Sequence, residues 1–188
     1  MSTVTPTPAS AASSEGIKLV PVTPSNASHT IPAVLRLIKD LAAFERAADQ
    51  VEATQELLRR SFFGEGDEKG HRYAEAVLAY EGGGPGEEGG EAVGMAVYYF
   101  TFSTWTGRGG CYLEDLYVSE PHRGRGIAKL LFNYLGKVCD ERGCPRLEWV
   151  VINWNEPAKA VYAKMGAKHM DEWQLMRLTG DSLKKLAE

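Results

Sequence analysis

With 188 residues, of which 44% are hydrophobic and 24% charged, the chain has the size and balance of one globular domain that buries a core without disulfides or metals. Its formal net charge of −4 argues against a general nucleic-acid binder, and no apolar run approaches the roughly 20 residues that span a bilayer. The first lysine is Lys18, so no charged region precedes a signal-like segment. We therefore expect a cytoplasmic protein whose partners include neither nucleic acid nor a membrane.

The elements follow in chain order. Residues 1–16 are rich in Ser, Thr, Ala and Pro without periodicity, which predicts a disordered leader before a domain over 17–188. Residues 17–22 alternate like a strand, and Pro21 indicates a sheet edge. Residues 30–46 predict a helix with Thr30 as N-cap. Its apolar stripe consists of Ile31, Leu35, Ile38, Leu41 and Ala42.

The second half of the chain continues the mixed pattern. A short helix is predicted from Thr54 to just before Gly64. Three strands (72–81, 91–102 and 111–118) follow, the first two joined by a flexible Gly-rich connection at 82–90, and then helix, strand, helix and strand, the last over 172–180. This order predicts an α/β fold in one domain.

The three cysteines, Cys111, Cys139 and Cys144, are odd in number and show no C-x-x-C spacing. That usage predicts reduced thiols rather than a disulfide framework or a zinc site. The four histidines are scattered singly, and none pairs at i, i+4. We therefore expect no metal. His122, which precedes the loop discussed next, is expected to face solvent.

A Gly/Arg loop over residues 123–128 joins the third of these strands to the next helix. The chain contains no G-x-x-x-x-G-K-[ST], and a dinucleotide G-x-G-x-x-G fails because Lys129 stands at the third glycine position. Glycines let the backbone approach a ligand, and a helix start offers unpaired N–H groups to an anion. On the loop alone, a phosphate site and a plain turn with two solvated arginines remain equally open.

The segment fits R-x-x-G-x-A, which resembles the acyl-CoA loop of the GNAT family of N-acetyltransferases. Residues 151–167 resemble that family's later motif, in which an Asn opens a helix and a Tyr follows two turns later. The segments 36–51, 96–118, 122–131 and 153–167 are similar to the diamine (spermidine/spermine) and thialysine N-acetyltransferases in particular. The resemblance implies a single GNAT-like domain with a mixed, mostly antiparallel sheet flanked by helices.

The resemblance also implies roles for individual residues. It makes Glu114 the general base and Tyr162 the general acid, although a solvent-facing strand glutamate and a packed helix tyrosine are the alternatives. The acetyl-CoA site would comprise Leu116, Val118, Arg123, Gly124, Arg125, Gly126, Ile127, Ala128 and Asn155. The amine site would comprise Phe44, Glu45, Ser103, Trp105, Asp115, Glu172 and Trp173, each of which could instead be core or solvated surface.

One departure bears on the substrate. The polyamine enzymes carry an acid where this chain has Ser103, and losing a carboxylate weakens attraction for a long polycation. We therefore expect a lysine analogue such as thialysine, or a short diamine, as substrate. The family resemblance implies acetyl-CoA as acetyl donor and a homodimer. A protein or peptide acetyltransferase and a non-catalytic acetyl-CoA-binding module remain the alternatives.

Overall fold

A five-stranded sheet organises the first part of the molecule. The computed structural model describes residues 14–188, so most of the predicted 1–16 leader lies outside the described residues. The described residues form two compact units, one ending at Trp149 and the other spanning Val150–Glu188. The strands are β1 Lys18–Pro21, β2 Glu75–Glu81, β3 Glu91–Ser103, β4 Arg108–Val118 and β5 Leu147–Trp149.

The strands are arranged in sequence order across the sheet. The pairs from β1 to β4 are antiparallel, and β5 alone runs parallel to its neighbour β4. The predicted mixed, mostly antiparallel α/β sheet is therefore confirmed. Pro21 lies in the edge strand β1, where the missing N–H costs no ladder bond, as its position in the sequence predicts.

The first unit contains the helices α1 Ala27–Phe44, α2 Gln55–Phe63 and α3 Ile127–Glu141, and the second unit contains α4 Glu156–Lys164 and α5 Gly180–Lys184. α1 and α2 share a core with alternate residues of β2 and β3, including Leu78 and Met95. α3 contacts β2, β3 and β4. Because β2 is buried throughout Ala76–Tyr80, both of its faces are covered.

The predicted start of α1 is wrong. The helix begins at Ala27, after a 3-10 turn over Pro24–Asn26. Thr30 is fully buried inside the helix, and its hydroxyl donates to the carbonyl of Asn26 at 3.1 Å. The buried stripe is accordingly centred on Ile31, Val34 and Leu37, while the predicted Leu35, Ile38 and Leu41 are only partly buried at its margin.

The predicted boundaries of α2 are confirmed. Thr54 caps its start, where the hydroxyl accepts a hydrogen bond from the Leu57 N–H at 3.2 Å. Gly64 ends the helix with φ +73°, the left-handed conformation that glycine adopts without steric cost.

The predicted last strand is wrong. Residues 172–179 form no strand, and the preceding predicted strand shrinks to β5. Trp173, Leu175 and Met176 are 68%, 71% and 84% exposed, so the alternation of apolar residues has no buried face to fill. An alternating pattern makes a strand only where a neighbouring strand completes the ladder and packs against it.

The three cysteines form a cluster of free thiols in the first unit. Cys111 and Cys144 are buried, and Cys139 is half-buried. The thiols of Cys111 and Cys139 are hydrogen-bonded to each other, and burial raises the pKa of Cys111 to about 12. Burial also raises the pKa of Cys139.

Candidate active site

The loop before α3 has the geometry of an anion site. Gly124 and Gly126 adopt φ +75° and +82°, which turn the chain from β4 into the helix. Gly126 is the N-cap of α3; the cap makes no side-chain hydrogen bond, and no acidic residue stands in the first turn. A Cβ built on Gly124 meets nothing within 4 Å, so the space beside the loop is open. These features fit a pyrophosphate at the N–H groups of Ile127 and Ala128.

The two arginines of the loop are both bonded to protein groups. Arg123 Nε donates to the carbonyl of Val118 at 3.0 Å, and its guanidinium lies 4.7 Å from the ring centroid of Phe44. Arg125 donates through one guanidinium nitrogen to Glu81, the last residue of β2. The fork of Arg125, expected to lie open to solvent or a phosphate, is therefore partly taken up by a carboxylate.

His122 does not face solvent as the sequence predicts. Its side chain is 18% exposed, and Nε2 lies 3.1 Å from Glu81 Oε2. The ring therefore donates through Nε2 to the same carboxylate that accepts from Arg125. Burial of this histidine depends on a partner from β2, which is remote in sequence.

Glu114 lies in a β-bulge. Val97 pairs with Asp115, but the next residue Tyr98 pairs with Leu113, so Glu114 is the extra residue of β4. Bulges re-aim a side chain and recur beside active sites. Glu114 is exposed, and after burial its charge is the next cause that raises the pKa values of Tyr99 and Tyr112.

The pKa of Asp115 responds to two neighbouring carboxylates of the first unit. Burial raises the pKa of Asp115 to about 6, and the charges of Glu114 and Glu45 add to the effect. Burial likewise raises the pKa of Glu45, which follows the last residue of α1. The sequence-predicted Phe44, Glu45, Glu114 and Asp115 thus lie together, since the end of α1 meets β4 and the loop. Such a cluster attracts an ammonium group.

The outer edge of β4 is open next to this cluster. The ladder with β5 runs only from Cys111 and Leu147 to Leu113 and Trp149. Leu116 and Val118 pair with β3, at Ala96 and Gly94. Over residues 114–118, therefore, β4 has a strand partner on one side only within the part of the chain that the structure describes. Main-chain groups on such an edge can bind an extended ligand arm.

Two predicted amine-site residues lie at the far end of the β3–β4 hairpin. Ser103 is buried and pairs with Arg108, whereas Trp105 is 90% exposed in the turn. Ser103 stands six residues along β3 from Val97, the partner of Asp115. At about 3.3 Å per residue this separates it from the carboxylates by roughly 20 Å. The first unit does not bring Ser103 and Trp105 to the carboxylates.

The second unit carries the remaining candidates. Asn155 caps α4, and its side-chain oxygen accepts from the Ala158 N–H at 3.2 Å. Tyr162 lies on the same helix, half-buried, and burial raises its pKa, so the phenol keeps its proton at neutral pH. Glu172 and Trp173 follow in irregular chain and line a cavity of about 240 Å³ with residues 169–171.

Sequence reasoning missed Glu81. Its contact with Arg125 spans 44 residues and belongs to no motif, so the sequence indicates only that Glu81 ends a predicted strand.

Among residues 14–188, no group of three or more His, Cys, Asp or Glu side chains could hold a metal ion. No helix in the same range is long and apolar enough to cross a membrane.

Comparison with known proteins supplies the wider context. The family profile described as Acetyltransferase (GNAT) family matches residues 51–167. Thialysine N-epsilon-acetyltransferase of Bos taurus is 38% identical over 158 residues, covering 82% of this chain and 89% of the bovine protein. L-ornithine N5-acetyltransferase of Arabidopsis thaliana is 38% identical over 93 residues, covering 50% of this chain and 41% of the plant protein.

Solved structures agree on the architecture. An integron cassette protein from the mobile metagenome of V. cholerae has a TM-score of 0.70 at 23% identity, covering 92% of this chain and 98% of that one. A ribosomal-protein-alanine N-acetyltransferase from Brucella melitensis biovar Abortus 2308 has a TM-score of 0.56 at 20% identity, covering 87% and 99%. At these identities the likeness concerns the fold.

Proposed function

Because the chain belongs to the acetyltransferase (GNAT) family, whose members use acetyl-CoA as co-substrate, we propose that it acetylates the side-chain amine of a lysine-like amino acid such as thialysine, or a short diamine. It is an acyltransferase that acts on amines. The observation that carries the substrate proposal is the gathering of Glu45, Glu114 and Asp115 beside the loop, since carboxylates attract an ammonium group.

The reaction joins the amine nitrogen to the acetyl carbon and breaks the carbon–sulfur bond. The amine must first lose a proton, because an ammonium with a pKa near 10 is about a thousandfold protonated at neutral pH. In our proposal Glu114 accepts that proton, directly or through water, and Tyr162 gives its phenolic proton to the departing sulfur. The acetyl donor supplies the activated carbonyl; the loop amides at Gly126, Ile127 and Ala128 bind its pyrophosphate.

Glu114 is proposed as the base because the bulge turns it out of the sheet into an exposed position beside the other two carboxylates. Asp115 is a second candidate for this role, since its pKa of about 6 lies close to neutral pH, where a general base is most effective. We assign Asp115 and Glu45, with Phe44, to holding the ammonium. Comparison of Glu114→Gln with Asp115→Asn distinguishes the roles, because loss of the base lowers kcat, whereas loss of an amine contact raises the KM for the amine.

Tyr162 and Asn155 act from α4 in this proposal. Burial keeps the Tyr162 phenol protonated, as a general acid requires. Asn155 holds the start of α4 by capping it. Leu116 and Val118 would bind the pantetheine arm through main-chain groups on the open edge of β4, whatever their side chains.

The substrate test measures release of free CoA with acetyl-CoA and a panel of thialysine, lysine, ornithine, putrescine, spermidine, spermine and a basic peptide. We expect the amino acids or putrescine to exceed spermine in kcat/KM. Turnover of the peptide alone would instead favour a protein acetyltransferase. Turnover of none of the panel, with acetyl-CoA bound, would favour the binding module.

The residue test uses matched variants. Tyr162→Phe keeps the ring, so we expect at least a tenfold loss of kcat with acetyl-CoA binding preserved, whereas Tyr73→Phe, at an exposed tyrosine, keeps full activity. Glu114→Gln is expected to lose activity, while the exposed Glu68→Gln does not. Unchanged turnover in Tyr162→Phe removes that residue from the mechanism.

We also propose that the protein is a cytoplasmic homodimer. Light scattering coupled to gel filtration measures its mass in solution.

A further inference from the structure

A single carboxylate ties the anion-binding loop to the sheet. We propose that Glu81 is a positioning residue for acetyl-CoA, which holds residues 122–126 in their binding shape by contacting His122 and Arg125 at once. The inference rests on the proposed acetyl-CoA site and assigns to Glu81 and Arg125 a role that the GNAT motif does not contain.

The contacts place Glu81 at the centre of the loop's support. Its Oε1 accepts from Arg125, and its Oε2 lies 3.1 Å from His122 Nε2. The two partners stand on either side of Gly124, which adopts a φ of +75°. A carboxylate that holds both flanks of a glycine turn restricts the conformations that this glycine would otherwise permit.

The three side chains that make these contacts are partly shielded from water. The side chains of His122, Arg125 and Glu81 are 18%, 23% and 34% exposed, so water screens them less than a typical surface pair. The hydrogen bond from Arg125 holds the pKa of Glu81 below its usual value, and the carboxylate is therefore ionised at neutral pH. Arg123 fixes the loop independently through the carbonyl of Val118 at 3.0 Å. The loop is thus fastened to the ends of both β2 and β4.

This geometry gives Arg125 a role that differs from a direct phosphate ligand. If Arg125 bound the pyrophosphate with its fork, Glu81 would compete for the same donors and repel the anion. Removing the Glu81 charge would then tighten acetyl-CoA binding. If Arg125 acts through Glu81 to shape the backbone cradle, removing the same charge weakens binding. The two roles therefore predict opposite signs for one substitution.

The experiment measures acetyl-CoA binding by isothermal titration calorimetry for the wild type, Glu81→Gln, Arg125→Gln and the double variant. We expect Glu81→Gln to raise Kd about tenfold, a change of the size that loss of one charge-assisted hydrogen bond produces. The double variant is expected to bind no more weakly than the weaker single variant, because both substitutions break the same contact between Glu81 and Arg125. In steady-state assays, KM for acetyl-CoA rises while kcat at saturation stays within twofold.

Glu87→Gln is the matched control, since it changes a glutamate in the neighbouring Gly-rich loop that pairs with Lys18 instead. Its Kd is expected to equal that of the wild type. Tighter or unchanged binding in Glu81→Gln overturns the inference, as do additive losses in the double variant. If Glu81→Gln fails to fold, Arg125→Gln and Arg125→Lys test the same contact from the loop side: Arg125→Lys keeps the charge and is expected to recover part of the affinity.

The design separates this inference from the function on which it rests. A wild type that binds no acetyl-CoA contradicts the proposed cofactor. A wild type that binds acetyl-CoA, beside a Glu81→Gln variant that binds equally well, contradicts the positioning role alone.

Discussion

Replacing Asp115 by Asn should make the protein more stable at neutral pH while damaging its substrate site. Burial, with the charges of Glu114 and Glu45, raises the Asp115 pKa from 3.8 to about 6. Each pKa unit corresponds to about 1.4 kcal/mol, which bounds the cost of ionised Asp115 at about 3 kcal/mol. Because the side chain keeps some contact with water, we expect about 2 kcal/mol.

The direction in which stability changes with pH follows from the pKa of Asp115 in the unfolded and the folded chain. Below pH 3.8 the carboxyl is protonated in both the folded and the unfolded chain, and Asn mimics it closely. Between pH 3.8 and about 6 the unfolded chain releases the proton while the folded chain retains it, so stability falls as pH rises. Above about pH 6 the loss is complete. The stability gained by Asp115→Asn should therefore grow from near zero at pH 4 to its full value at pH 7–8.

Urea denaturation at half-unit steps between pH 4 and 8 measures this difference in the free energy of unfolding. The exposed Asp49→Asn serves as the control and is expected to show a small difference at every pH. A gain that does not vary with pH, or a less stable Asn variant at pH 8, refutes the reasoning about the carboxylate cluster. The same variant is expected to show at least a tenfold higher KM for the amine.

Three further predictions concern the scaffold. Thr54→Ala removes the cap of α2 and is expected to cost about 1 kcal/mol in thermal denaturation, and an unchanged melting temperature would contradict the capping role. Gly64→Ala introduces a Cβ 2.7 Å from the carbonyl oxygen of Gly70 at a φ of +73°, so we expect a loss of about 2 kcal/mol in urea denaturation; a neutral result would mean that the turn relaxes freely. Met95→Ala empties a fully buried position and should cost about 2–5 kcal/mol by the same assay, with less than 1 kcal/mol contradicting the packed core.

Sequence patterns predict an element correctly where the residues that begin and end it lie within the same short segment. α2 is correct at both ends because Thr54 and Gly64 act within a single turn. The start of α1 is missed because Thr23 and Asn26 form an earlier capping turn, which leaves Thr30 inside the helix. The last strand fails for a different reason: its apolar alternation resembles a strand, but a ladder requires a neighbour that no local pattern reveals.

The candidate site likewise has features that the sequence predicts and features that it does not. The glycines at 124 and 126 and the cap at Asn155 were visible as contiguous motifs, and the structure gives them the expected local geometry. The bulge at Glu114 depends on the register between β3 and β4, which alternation alone does not encode. Glu81 and the raised pKa of Asp115 depend on contacts between segments distant in sequence.

The thiol cluster around Cys111 has a practical consequence for every assay above. Thiol reagents attack the thiolate, and a pKa of about 12 together with burial leaves almost no reactive thiolate on Cys111 in the folded protein. Cys144 is buried as well, and burial raises the pKa of the half-buried Cys139, so a colorimetric thiol reagent added to the folded enzyme should register mainly the sulfur of released CoA. In denaturant the same reagent should react with the protein's own cysteines. One reagent can therefore follow turnover by the folded enzyme and, in a separate experiment, unfolding.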